Sequence, residues 1–147
     1  MGNVEFVSHP FIASQAKMLY YRPVTLDDYE QVKDLLLAVG WGLRVADESR
    51  LRRMLSNADR TAGAWDGDRL VGFARALCDE AFNGYIGTVC VHPDYRGQGI
   101  GAELVNQITE DSPDITWVLR AGGGTAPFWE KQGFSASGIA MEKIRQR

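Results

Sequence analysis

The most constraining feature of this sequence is a strand-like run that leads through a glycine-rich turn into a helix-like run, VCVHPDYRGQGIGAELVNQI (residues 89–108). After the turn, Leu104, Val105 and Ile108 recur at helical spacing. A strand that ends in glycines before a helix leaves backbone N–H groups free at the positive end of the helix dipole. The turn therefore predicts an anion site, and a phosphate or pyrophosphate suits it best.

Two common phosphate-binding patterns do not fit the turn. A Walker loop needs Lys and Ser or Thr after its last glycine, but Ala102 and Glu103 follow Gly101. A dinucleotide-binding loop reads G-x-G-x-x-G inside a parallel βαβ unit, whereas this turn reads G-x-G-x-G and follows strands predicted to be antiparallel. Nucleoside triphosphatases and dinucleotide enzymes are disfavoured.

The rest of the chain predicts alternating strands and helices. The pattern indicates a strand at residues 18–24, a helix at 25–40 capped by Thr25, and a second helix opened by Asp47 or Glu48. Three antiparallel strands follow, with a hairpin turn at Asp66-Gly67, and after the glycine turn come a helix, a strand at 114–121, a short helix at 125–133 and a last strand at 139–144. The order predicts an α+β fold with helices on both faces of a mixed sheet.

Length and composition predict the number of domains, and the net charge limits the class of binding partner. With 147 residues and 45% hydrophobic composition, residues 1–147 should form one domain with a real core. Residues 1–17 lack a clear period, so an arm, an edge strand and a disordered tail all stay open. A net charge of −3 and scattered basic residues argue against a nucleic-acid partner.

The sequence also argues against a membrane and a metal. No run approaches the ~20 apolar residues of a membrane span, and the N-terminus lacks signal-peptide features, so we expect a cytoplasmic location. Cys78 and Cys90 lie outside any Cys/His metal spacing, so we expect no metal and interpret both as small buried residues in a reducing compartment.

The turn RGQGIG (residues 96–101) resembles R/Q-x-x-G-x-G/A, the acyl-CoA loop of the GCN5-related N-acetyltransferase (GNAT) superfamily. FWEKQGF (residues 128–134) is similar to that family's FYxxxGF, and the resemblance covers roughly residues 19–144. It implies a central, mostly antiparallel mixed sheet of about six or seven strands, splayed at the cofactor site and flanked by about four helices. The implied activity is transfer of an acetyl group from acetyl-CoA to a primary amine, by direct attack through a tetrahedral intermediate.

The resemblance also assigns the cofactor contacts. The central strand presents backbone groups to the pantetheine arm, and the loop amides hold the pyrophosphate. A backbone N–H of that strand, at Val91, is the candidate for the oxyanion. The residues carried over are Val89, Cys90, Val91, Arg96, Gly97, Gln98, Gly99, Ile100, Gly101, Ala102, Phe128 and Trp129.

The catalytic groups are less defined. Asp79 and Glu80 precede the central strand, and either carboxylate is a candidate base or a solvated loop charge. Where the family has a tyrosine that protonates the leaving thiolate, this chain has Trp129, whose indole N–H does not ionise usefully. Water, Tyr85 or Tyr95 would have to replace it. The family's asparagine before the last helix falls at about Gly122.

Two reactive-looking side chains have structural interpretations. His92 before Pro93 matches a recurrent turn in the family, so a catalytic base is the less favoured interpretation. Cys90 as an acyl-relay nucleophile stands against a packed small side chain, which we favour.

The acceptor side is predicted in the loop between the first two helices, GWGLRVADES (residues 40–49). Trp41 and Arg44 are the candidate substrate contacts, with Glu48 beside them, for a small-molecule amine or a peptide acceptor. Family members are often dimers, so a homodimer is possible. The alternative function is an acyl-CoA-binding module with little or no catalysis.

Overall fold

The computed structural model describes residues 18–146, so the expectations for residues 1–17 fall outside the described part of the chain. The strands are β1 (Leu19–Arg22), β2 (Arg60–Asp66), β3 (Arg69–Cys78), β4 (Asn83–Val91) and β5 (Thr116–Leu119). The helices are α1 (Tyr29–Ala38), α2 (Gly42–Val45), α3 (Glu48–Ser56), α4 (Ile100–Thr109) and α5 (Ala126–Lys131), and short 3-10 turns span Leu26–Asp28 and Pro93–Tyr95. The predicted α+β class is confirmed.

Local caps fix the first helices where the sequence predicts them. The Thr25 hydroxyl accepts from the Asp27 N–H at 3.3 Å, and the Asp28 carboxylate accepts from the Thr25 N–H at 3.0 Å, which is a reciprocal capping box. The Asp47 carboxylate accepts from the Arg50 N–H at 3.0 Å and starts α3. The Asp47 cap marks the end of the loop that contains α2.

The five strands form one sheet in the order β1-β2-β3-β4-β5. The first four strands pair antiparallel, as predicted, and β5 pairs parallel with β4. A parallel neighbour needs a crossover, and α4 supplies it. The helix that follows the glycine turn therefore begins beside the end of the central strand.

The core lies on both faces of the sheet, because neighbouring residues of each strand point to opposite faces. Helices α1 and α3 cover the first face, where the buried residues are Val24, Tyr29, Val32, Leu35, Leu36, Leu51, Leu55, Trp65, Leu70, Phe73 and Cys90. Helix α4 covers the second face, where they are Ala62, Ala64, Val71, Ala74, Ala76, Ile86, Tyr95, Ile100, Leu104 and Ile108. Helices on both faces were predicted and are confirmed.

Two element counts were wrong. Residues 18–146 contain five strands rather than six or seven, because the predicted last strand at 139–144 does not form. The segment pairs with no strand of the described chain although the outer edge of β5 is open, and Ile139 and Met141 are 91% and 95% exposed, so no burial of one face stabilises a strand there. An ion pair of 2.8 Å between Arg120 and Glu142 joins this segment to the end of β5. The same part of the chain contains five α-helices rather than four, because the single-turn helix α2 forms inside the loop after α1.

Candidate active site

The site begins where β4 and β5 separate. β5 pairs with β4 only from Asn83 to Ile86, whereas β4 continues to Val91. The last five residues of β4 therefore have no neighbour on the β5 side, and their peptide groups face an open edge. This is the splay that the sequence resemblance implied.

A bulge in β4 begins at the same point. Gly87 is an extra residue in β4, because the register of β3 against β4 shifts between Arg75 and Ala76. A Cβ atom at Gly87 would lie 2.8 Å from the Arg75 guanidinium carbon. Glycine thus allows the Arg75 side chain to lie against the β4 backbone, next to Thr88.

Beyond the bulge, the direction of the peptide groups can be followed from one hydrogen bond. The His92 N–H donates to the Val71 carbonyl of β3 at 2.8 Å. Because successive peptide groups along a strand point to alternate sides, those of Val89 and Val91 point away from β3 and toward the open edge. Arg96 lies at this edge, and its Nε donates to the Val91 carbonyl at 3.1 Å.

The glycine turn places the start of α4 beside that edge. Gly97 and Gly99 have φ values of +79° and +80°, which only glycine adopts without strain. Gly99 is the N-cap of α4 and carries no capping side chain, and the Glu103 N–H makes the first helical bond to its carbonyl at 3.1 Å. The N–H groups of residues 100–102 thus lack helical partners and point out of the positive end of α4, a geometry that suits an anion.

Two aromatic residues of α5, Phe128 and Trp129, lie near the start of α4, and Phe128 is the one beside Gly101. A Cβ atom at Gly101 would lie 3.3 Å from Cε1 of Phe128 and 3.8 Å from a methyl group of Val91. Gly101 thus allows α4, α5 and the end of β4 to meet closely. Trp129 turns toward the second core face, with its ring 5.0 Å from Phe128 and 5.4 Å from Phe134 in edge-to-face contact.

Comparison with known proteins identifies the family of this chain. Residues 57–136 match the family model of the acetyltransferase (GNAT) domain. An uncharacterised ycf52-like N-acetyltransferase from Prochlorococcus marinus is 32% identical over 134 residues, which cover 86% of this chain and 69% of the relative. The chain belongs to the GNAT acetyltransferase family. It is accordingly an acyltransferase by family.

Two further GNAT relatives define how far the likeness extends. An uncharacterised ycf52 N-acetyltransferase from Gracilaria tenuistipitata is 35% identical over 120 residues, covering 76% of this chain and 62% of the relative. The structure of a GNAT family acetyltransferase from Streptococcus pneumoniae superimposes with a TM-score of 0.68 at 25% identity, over 88% of this chain and all of that one. The chain thus spans about two thirds of the length of the first two relatives and the whole of the third.

Two side chains that look reactive have structural surroundings. Burial raises the pKa of the Cys90 thiol to about 12, so it carries almost no thiolate at neutral pH. His92 Nδ1 accepts from the Asp94 N–H at 3.1 Å, and His92 Nε2 lies 3.0 Å from an Arg69 nitrogen. Both observations agree with the favoured interpretations, a packed cysteine and a histidine that shapes the turn.

The two tyrosines considered for the thiolate differ in position. The Tyr95 hydroxyl donates to the Asp66 carboxylate at the end of β2. This hydrogen bond contributes most to the raised pKa of Tyr95. Tyr95 therefore points back across β3, away from the splay. Tyr85 lies on β4 opposite Leu77, on the same sheet face as Arg75 and two residues before the open edge begins at Gly87.

The candidate bases Asp79 and Glu80 hold the loop before β4. Asp79 Oδ1 accepts from the N–H groups of Ala81, Phe82 and Asn83 at 2.9, 2.7 and 2.9 Å, and these bonds lower its pKa. Glu80 binds Arg60 through two hydrogen bonds of 3.0 and 2.6 Å, and this pairing lowers its pKa. The assignment of either carboxylate as general base stays a prediction, and these contacts favour structural roles.

A pH-dependent stability measurement separates the two roles. Both folded-state pKa values are lowered, so each carboxylate stabilises the fold above its unfolded pKa and loses that effect as the pH falls through its folded value. We expect Asp79→Asn and Glu80→Gln to lower the Tm at pH 7, with the difference from wild type beginning to shrink near about pH 4 and disappearing as the pH falls through the lowered folded-state pKa values.

The pH–rate profiles of the same two variants test the catalytic role. Tm values equal to wild type at pH 7, combined with loss of the acidic limb of the pH–rate profile, where a general base becomes protonated, would support the catalytic assignment instead. Asp27→Asn is the matched control, because Asp27 is a carboxylate at the start of the first 3-10 turn and lies outside this loop.

On the predicted acceptor side, Trp41 and Arg44 meet as the sequence suggested. Arg75 and Thr88 also meet there, and the sequence did not single them out. Arg44 lies over the Trp41 ring, 4.9 Å from its centroid, and both residues are in the first half of the predicted loop. Its Nη1 donates to the Thr88 hydroxyl at 3.3 Å, and Arg75 Nε donates to the same oxygen at 2.9 Å. Arg75 is the single charged residue inside the apolar run LVGFARALC (residues 70–78), and this signal would have revealed it. The third loop candidate, Glu48, instead pairs with Arg52 at 2.8 Å.

Residues 18–146 hold no group of three or more His, Cys, Asp or Glu side chains arranged to bind a metal ion. Within that range, no helix has the length and apolar character needed to cross a membrane.

Proposed function

We propose that this protein is an N-acetyltransferase that moves an acetyl group from acetyl-CoA to a primary amine by direct attack. The observation that carries the proposal is the adjacency of two features, the open edge of β4 at residues 87–91 and the free N–H groups at the start of α4. The open strand edge can pair with an extended chain that carries amide groups. The free N–H groups at the start of α4 can bind a pyrophosphate. Acetyl-CoA contains both in that order.

The β4 edge fits the pantetheine arm because both are lines of amide donors and acceptors. The peptide groups of Val89 and Val91 point to the open side, as in an edge strand that awaits a partner. Arg96 already donates to the Val91 carbonyl there, and its charged group remains exposed beside the turn. Phe128 bounds the anion site from the α5 side through its contact with Gly101.

When bound, acetyl-CoA supplies the thioester carbonyl that the amine attacks. The residues of this chain would orient it, and an N–H at Val91 or Val89 would donate to the oxygen that becomes negative. Asp79 and Glu80 lie in the loop before β4, at the opposite end of that strand from the splay, so the amine proton would leave to water, with one of these carboxylates as its remote acceptor. Trp129 cannot donate a proton to the leaving thiolate, so solvent is the proposed donor.

A second candidate function follows from Trp129. Its indole replaces the family's tyrosine and packs between Phe128 and Phe134, which leaves no acid in that position. An acyl-CoA-binding module with little or no catalysis would have the same splay and the same anion site. The two functions differ in turnover alone.

The deciding experiment measures free CoA thiol after incubation of the protein with acetyl-CoA and a panel of amines. Thiol release that depends on both the protein and an amine supports the acetyltransferase. Acetyl-CoA binding by calorimetry with no thiol release on any amine supports the module. Absence of acetyl-CoA binding would refute both.

Three further expectations stay predictions. A single domain spanning residues 1–147, a homodimer and a cytoplasmic location agree with the acetyltransferase proposal. One relative, from Arabidopsis thaliana, is named a chloroplastic GCN5-related N-acetyltransferase, so subcellular location deserves a direct test.

A further inference from the structure

We propose that the acceptor amine carries an anionic group, a carboxylate or a phosphate, that binds to the guanidinium groups of Arg44 and Arg75. This inference rests on the proposed acetyltransferase function and names the substrate class of its acceptor side.

The two arginines converge on one neutral oxygen. Arg75 Nε and Arg44 Nη1 donate to the Thr88 hydroxyl at 2.9 and 3.3 Å. Thr88 is only 3% exposed and Arg75 is half-buried, whereas Arg44 is exposed and reaches the Thr88 hydroxyl from the loop after α1. Two like charges held together by one hydroxyl repel each other, and an anion between them would remove that repulsion.

Four other arginines of the described chain have a carboxylate partner of the kind that Arg44 and Arg75 lack. Arg22, Arg52, Arg60 and Arg120 each have a carboxylate within 3.1 Å. Neither Arg44 nor Arg75 has a carboxylate within 4.0 Å among residues 18–146. Burial, and then the charge of Arg44, lower the pKa of Arg75, which shows that its surroundings oppose the cation. A half-buried arginine without a partner charge is unusual unless a ligand supplies that charge.

The Arg75 guanidinium is also fixed in a geometry that suits an anion. A Cβ atom at Gly87 would lie at nearly equal distances from its central carbon and two terminal nitrogens, 2.8, 3.0 and 2.8 Å, so the flat face lies against the β4 bulge. With the face on Gly87 and Nε on Thr88, the terminal nitrogens are left for another acceptor. A guanidinium fork of this kind binds carboxylate and phosphate oxygens in pairs.

The site lies next to the proposed reacting centre. Thr88 directly precedes Val89, whose peptide group points to the open edge of β4, and one residue of a strand spans about 3.3 Å. An acceptor whose anionic group reaches Arg75 would therefore place its amine near the thioester when few atoms separate the two groups. Amino acids and small amino phosphates have this shape, whereas simple alkylamines and arylalkylamines lack the anion.

The test compares kcat/KM for matched amines with and without the anion. The carboxylate arm pairs phenylalanine with phenylalanine amide and 4-aminobutyrate with butylamine, and the phosphate arm pairs phosphoethanolamine with ethanolamine. We expect the anionic member of at least one arm to be preferred about tenfold or more. Arg75→Met should remove that preference, and Arg75→Lys should keep part of it because the charge remains but the fork is lost.

Control measurements test whether the loss of preference for anionic amines is specific to Arg75. Arg53→Met alters an exposed arginine of α3 and should leave the preference unchanged. Acetyl-CoA affinity and Tm, measured for Arg75→Met, should stay near wild type, which shows that the variant is folded and that its cofactor side is intact. If every anionic amine reacts no faster than its neutral match, the inference is wrong while the acetyltransferase proposal stands. If no amine of either kind reacts, the proposed function fails and this inference fails with it.

Discussion

Gly99→Glu is expected to reduce acetyl-CoA affinity by about a hundredfold or more, because it puts a carboxylate where the pyrophosphate would bind. Gly99 is the N-cap of α4, and no atom lies within 4 Å of the position that a Cβ atom would take there. The new side chain would therefore enter the open space before the helix rather than the core. Isothermal titration calorimetry with acetyl-CoA measures the effect directly.

Backbone strain is the competing explanation for that loss, and a second variant isolates it. Gly99 has a φ of +80°, so any larger residue adds about 1–2 kcal/mol of strain. Gly99→Asn adds a neutral residue that tolerates this conformation, and it should retain most of the affinity. Gly138→Glu adds the same charge in an open position without positive φ and should bind normally. Wild-type affinity in Gly99→Glu would place the pyrophosphate elsewhere.

The glycine turn could be interpreted from sequence because its physics is local. Positive φ at Gly97 and Gly99, the helix that starts at Ile100 and the free N–H groups all follow from residues that adjoin in the chain. The caps at Thr25 and Asp47 belong to the same class, since each side chain bonds a backbone group within three residues. Such features depend little on the rest of the fold.

The errors arose where a feature depends on distant residues. Apolar residues at 139–144 alternate as in a strand, but a strand also needs one face buried against the rest of the fold, and Ile139 and Met141 stay exposed. The pairing of Glu80 with Arg60, 20 residues away in the chain, forms only in the folded protein, and the assignment of Asp79 or Glu80 as base stays a prediction. Arg75 and Thr88 are 13 residues apart and meet only through the register of β3 against β4.

The contact between Gly84 and Trp117 shows how a distant pair positions the site, and it carries the other large expected effect. Gly84 of β4 lies opposite Trp117 of β5, within the four residue pairs that join these strands. A Cβ atom at Gly84 would overlap three carbon atoms of the Trp117 ring. Arg60 lies 5.1 Å from the centroid of the same ring and is itself held by Glu80, so the ring has little freedom to move.

Gly84→Val is therefore expected to weaken the pairing of β4 with β5 and to lower the free energy of unfolding by about 2–3 kcal/mol. For a chain of this size the Tm should fall by roughly 5–10 °C, measured by thermal denaturation. Acetyl-CoA affinity should fall as well, because β5 defines the open side of the splay. Gly138→Val is the matched control, since no atom lies within 4 Å of a Cβ there. A Tm equal to that of the control would mean that the ring can shift, and that the splay does not depend on this contact.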